Sequence, residues 1–119
     1  MELFDGKAEK LILAANKSVE QLVALVTANF PGFRDHTVYG GEQIFLLKRA
    51  QIFAGDVWGC FGGSGLGEFY DIENLTMFPD YRVPQLLQQF NILQYSDELK
   101  KKVMRCVTAP IITRWPVGR

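Results

Sequence analysis

The sequence predicts a mainly α-helical fold with at most one short β-hairpin, and three patterns carry that reading. Between Leu11 and Ala28, apolar residues recur at helical spacing, with Val19, Leu22, Val23 and Val26 on one face. The apolar run Ile44 to Phe61 is longer than an ordinary strand and fits a buried helix. The Gly40-Gly41 pair, between Thr37-Val38-Tyr39 and Gln43-Ile44-Phe45, has the residues of a tight hairpin turn.

At 119 residues the chain has the size of a single domain, 1–119, which can bury roughly two thirds of its unfolded surface. Thirteen basic residues balance thirteen acidic ones. No net field draws such a chain to duplex nucleic acid or to an anionic membrane, so any nucleotide recognition must be local. Cys60 and Cys106 are too few, and too far from any His-rich cluster, for a zinc site or a disulfide framework. They read as buried free thiols of a reducing cytosol. The apolar run Leu11 to Ala15 is too short for a signal-peptide core or a membrane span, and a cytoplasmic protein is expected.

Met1 to Lys10 shows no clear period. The helix that follows starts from Asn16 or Ser18 if it is broken in two, and Ser18 with Gln21 forms a capping box. Pro31 and Gly32 end it. Phe30 to His36 reads as a loop with aromatics packed down and charges up, and the lone His36, without a second ligand nearby, reads as solvated rather than as a base. In the Ile44 to Phe61 helix, Lys48, Gln51, Ile52 and Gly55 share one side, while Arg49, Phe53 and Asp56 share another. Gly55 and Gly59 permit close approach of a backbone or a flat ligand, at about 1 kcal/mol each in helix stability.

Phe61 to Gly67 is glycine-rich, but its spacing fits neither the dinucleotide fingerprint nor the P-loop, and it follows a helix; it reads as a helix exit and turn. Asp71 starts a short helical turn. Leu75, Met77 and Phe78 are expected in the core. Pro79 fits the first turn of a new helix, which puts Asp80 near a helix N-terminus, where the macrodipole favours a carboxylate. Pro84 to Leu93 reads as a helix with Leu86, Leu87, Phe90 and Leu93 inward. Ser96 caps a last helix, with Leu99, Val103 and Met104 as its buried edge and Lys100-Lys101-Lys102 wet. After Arg105 the period is lost, and 106–119 reads as a loose tail.

Lys48 to Gln85 carries a charged, polar and aromatic set that a plain core would not choose, and we read it as an active site. Asp56 and Trp58 lie in so apolar a run that the carboxylate must reach water or find a partner.

Phe33-Arg34-Asp35, Lys48-Arg49-Ala50-Gln51-Ile52, Asp56-Val57-Trp58, Gly67-Glu68-Phe69, Asp71-Ile72 and Thr76-Met77-Phe78-Pro79-Asp80-Tyr81-Arg82-Val83-Pro84-Gln85, followed by Tyr95-Ser96, resemble the queuosine salvage proteins, which are queuosine 5′-phosphate N-glycosylases/hydrolases. The resemblance runs from about Leu11 to Arg105 and departs at Pro79, where the family more often has alanine. It implies a helical fold similar to helix-hairpin-helix DNA glycosylases, no cofactor and no metal. The implied reaction is hydrolysis of the N-glycosidic bond, releasing queuine for salvage into tRNA. Family members are longer on both sides, so the chain matches their central part or a truncated form.

Under that resemblance Asp80 is the carboxylate that stabilises or attacks the oxocarbenium-like sugar, or orients water toward it. Lys48, 32 positions earlier, holds Asp80 or donates toward the substrate. Asp56 is the anion for the secondary ammonium on the cyclopentenediol arm, Trp58 or Tyr81 stacks on the base, and Arg82 is assigned to the 5′-phosphate. The alternative is a non-catalytic form that binds the nucleotide or a protein partner without turnover and folds only with a partner or a missing flanking segment. A DNA-lesion glycosylase would need a basic surface that the neutral composition does not supply.

Overall fold

In the computed structural model, which describes residues 3–108, the amphipathic N-terminal stretch folds as two helices, α1 (Ala8–Ala14) and α2 (Val19–Asn29). Ser18 decides the break: its side chain accepts the Gln21 N–H at 3.1 Å, the N-cap bond that the capping-box pattern predicts. Asp71, expected only to open a local turn, supplies a second cap from far along the chain. Its carboxylate accepts from the Ser18 hydroxyl (2.8 Å), the Val19 N–H (2.6 Å) and the Glu20 N–H (3.3 Å), and the residue is buried. At the other end of α2 the Arg34 side chain donates to the carbonyls of Thr27 and Ala28, both at 2.6 Å. These are carbonyls that the helix itself leaves unpaired.

The hairpin pairs β1 (His36–Tyr39) with β2 (Glu42–Phe45) in antiparallel register, His36 opposite Phe45 and Tyr39 opposite Glu42. Gly40 and Gly41 both have positive φ, +61° and +86°, as a two-residue hairpin turn requires. His36 is therefore a strand residue rather than part of a loop, and it is exposed. The apolar run expected as one helix is split: Ile44 and Phe45 belong to β2, and α3 spans Lys48–Cys60. The cause is Leu47, whose left-handed backbone (φ 50°, ψ 30°) turns the chain between strand and helix.

α2 and α3 form one core, in which Leu22, Val19 and Val26 are almost fully buried together with Ala50, Ala54 and Val57. The two alanines, at 0% exposure, leave room for the helices to approach. Burying each of the large side chains stabilises the fold by about 1.5–3 kcal/mol. Gly67 is buried against the exit of α3, where a Cβ would stand 2.7 Å from Phe61 Cβ and 2.8 Å from the Val57 carbonyl oxygen. Glycine is required there by space, and the Phe61–Gly67 stretch is the helix exit and turn that its spacing indicated. Cys60, expected to be buried, is exposed. Met77 is not in the core either, at 67% exposure.

The chain divides after Asp80 into two compact units. The second contains α4 (Arg82–Gln89) and α5 (Asp97–Thr108). α4 starts two residues before Pro84, and Pro79 precedes it rather than sitting in its first turn. Just past its C-cap Phe90, Asn91 is left-handed, with Ile92 N–H donating to the Leu87 carbonyl and Asn91 N–H to that of Gln88, a Schellman arrangement. Ser96 caps α5 through its hydroxyl, which accepts the Leu99 N–H at 3.2 Å. The side chains expected to face inward do not all do so: Leu86, Phe90 and Met104 expose more than half their surface, and Leu99 and Val103 at least 40%. α5 continues to Thr108, past the point where the sequence period is lost; residues 109–119 of the expected tail lie outside the described residues.

Candidate active site

Lys48 is the first residue of α3, at a helix start that has no cap of its own. Leu47 stands at the N-cap position and makes no side-chain hydrogen bond there. Asp35 fills the gap. Its Oδ2 accepts the Lys48 N–H at 2.7 Å, and its backbone carbonyl accepts from Leu46 (3.1 Å) and Leu47 (3.4 Å).

The segment that carries Asp80 is pinned to the same helix. Gln51, one turn after Lys48, accepts through Oε1 from both the backbone N–H (3.0 Å) and the hydroxyl (2.9 Å) of Thr76. Phe78 lies against Gly55, whose missing Cβ would be 3.2 Å from the Phe78 ring. Of the two helix glycines expected to admit a close neighbour, Gly55 does so, whereas an added Cβ at Gly59 would meet open space. The neighbour is an aromatic side chain of the chain itself.

These anchors end in an ion pair. Lys48 Nζ donates to Asp80 Oδ2, with both side chains partly buried at 30% and 29% exposure. At that depth the attraction is screened less than on an open surface, and the carboxylate stays within reach of water. A hollow of about 280 Å³ is walled by Leu47, Gln51, Leu75 and Thr76 among others. Its walls include residues adjoining Lys48 but neither Lys48 nor Asp80.

Asp56 and Trp58 are not drawn to this pair. Asp56 lies eight residues beyond Lys48 on α3, about 12 Å along the axis, exposed and without a hydrogen bond or ion pair among the described residues. Trp58 is 45% exposed, with its indole Nε1 3.0 Å from where a Cβ on Gly63 would stand. Tyr81 and Arg82 belong to the second unit, where the Arg82 guanidinium sits over the Tyr81 ring, 5.4 Å from its centroid. Among the described residues no group of three or more His, Cys, Asp or Glu could hold a metal ion. No helix among them is long and apolar enough to cross a membrane.

Sequence reasoning assigned no role to Asp35 and only a local turn to Asp71. Both stand out in the sequence only as members of the Phe33-Arg34-Asp35 and Asp71-Ile72 strings that carry the family resemblance.

Comparison with known proteins extends the geometry. Residues 1–113 match the family model described as Queuosine salvage protein. A queuosine 5′-phosphate N-glycosylase/hydrolase of Dictyostelium discoideum is 50% identical over 111 residues, which is 93% of this chain and 35% of that protein. Those of Sphaerobacter thermophilus (46% over 104 residues; 87% and 32%) and Schizosaccharomyces pombe (41% over 105 residues; 88% and 30%) are similar in the same way. The chain spans about a third of the length of these relatives.

Proposed function

Because the chain belongs to the queuosine salvage protein family, we propose that it hydrolyses the N-glycosidic bond of queuosine 5′-phosphate and releases queuine. The observation that carries this reading is the partly buried Lys48–Asp80 pair. As the bond from the sugar carbon to the base breaks, positive charge develops on the sugar. An ionised carboxylate at that point stabilises it, attacks it, or aims water at it. Water supplies the oxygen that ends on the sugar carbon, and its proton balances the departing base. That base is a 7-deazaguanine, which lacks the ring nitrogen where purines are usually protonated, so stabilisation of the sugar bears more of the barrier. Lys48, as its ion-pair partner, holds the Asp80 side chain in place.

Asp56 is proposed to meet the ammonium of the substrate's arm, since it is an open carboxylate on the helix that carries Lys48. Trp58 or Tyr81 stacks on the base, both having exposed ring surface. Arg82 is assigned to the 5′-phosphate, for which its guanidinium has the fork geometry.

A second reading is favoured by the apolar side chains that the second unit leaves open, Phe90 at 66% and Ile92 at 71% exposure. Under it the chain binds the nucleotide, or a protein partner or flanking segment that covers those side chains, without turnover. Incubating the purified chain with queuosine 5′-phosphate and following free queuine by chromatography separates the two. Release by the native chain and none by Asp80→Asn supports hydrolysis. Nucleotide binding by calorimetry without release supports the second reading and overturns the first.

A further inference from the structure

We infer that Asp35 is the positioning residue for Lys48, and that the exposed hairpin exists to deliver it. This inference rests on the proposed role of Lys48. α3 begins badly by every local rule: its N-cap is an apolar leucine, that leucine is left-handed, and it makes no side-chain bond. A helix start of this kind frays unless something outside the helix holds it. Asp35 is what holds it, taking the Lys48 N–H on Oδ2 at 2.7 Å and the N–H groups of Leu46 and Leu47 on its carbonyl. The bond falls on the very residue that carries the ammonium facing Asp80.

The hairpin accounts for how Asp35 gets there. All eight residues of β1 and β2 are exposed, so the pair adds little to the core. What its register does is place the residue before His36 beside the residues after Phe45. A slip of one residue would take the carboxylate away from the Lys48 N–H.

The role is one of reach more than charge. Asp35 Oδ1 is buried and has no hydrogen-bond partner among the described residues. An amide nitrogen in its place removes no bond, while an acceptor remains for Lys48. Asp35→Asn should therefore hold the helix start, whereas Asp35→Glu, with its charge intact but one methylene longer, should not.

The test uses the full chain and two readouts. Without substrate, hydrogen exchange of the Lys48 amide should speed up about tenfold or more in Asp35→Glu and Asp35→Ala and stay near native in Asp35→Asn. With queuosine 5′-phosphate, Asp35→Glu should lose about tenfold or more in kcat with KM little changed, and Asp35→Asn should restore it. If Asp35→Ala fails to fold, the Glu and Asn pair decides. Unchanged Lys48 amide exchange in Asp35→Glu overturns the inference, as does an active Glu variant beside an inactive Asn variant. A native chain without turnover overturns the proposed function alone, because the exchange measurement still stands.

Discussion

The ring of Phe78 rests on Gly55, so close that a Cβ on the glycine would be 3.2 Å from Phe78 Cζ. An alanine there must push the ring by a few tenths of an ångström, and Phe78, at 40% exposure, has room to yield. Gly55→Ala should gain up to about 1 kcal/mol of helix propensity. It should also displace the segment that ends in Asp80. Urea unfolding is expected to show stability held or raised, while kcat for queuosine 5′-phosphate falls about tenfold. Native activity in this variant would mean that Phe78 does not help to place Asp80.

Lys48 and Asp80 should behave as a unit in kinetics. We expect Lys48→Met to lower kcat by about 10² and Asp80→Asn by about 10³, with the double variant no slower than Asp80→Asn alone. Additive losses in this cycle would show that the two groups act independently.

Asp71 predicts an acid-sensitive fold. Burial by itself would raise its carboxyl, but the Val19 N–H, the Ser18 hydroxyl and the Glu20 N–H outweigh that and bring it below the ordinary value of 3.8. A carboxyl depressed in the folded state contributes stability that is fully present above the unfolded value and is lost as pH falls through the folded one. Urea midpoints of the native chain should thus decline below about pH 4, and Asp71→Asn should remove part of that decline. Asp71→Ala should cost about 3 kcal/mol at neutral pH, because three donors at the start of α2 lose their acceptor.

Asp56 should act on binding alone. Asp56→Asn is expected to raise KM for queuosine 5′-phosphate about tenfold with kcat unchanged. For a 7-deazaguanine nucleotide without the ammonium arm, the same substitution should change nothing. An equal effect on both substrates would remove Asp56 from arm recognition.

The sequence by itself determined the start of α2, the hairpin turn and the start of α5. Ser18 with Gln21, Gly40-Gly41 and Ser96 act within a turn of chain, so their chemistry does not depend on what packs around them. The Lys48-Arg49-Ala50-Gln51 and Asp80-Tyr81-Arg82 strings also carried the family. What the tertiary structure decided is which of those residues meet. Lys48 pairs with Asp80 across 32 positions, a meeting expected only through the resemblance, and Asp71 caps Val19 across 52, a bond nothing local announces. The same holds for burial: Met77, Leu86, Phe90 and Met104 have the period of core residues and are open. Hydrophobic spacing specifies a face, but whether that face is covered depends on contacts between segments distant in the chain, and those are settled only when the segments pack.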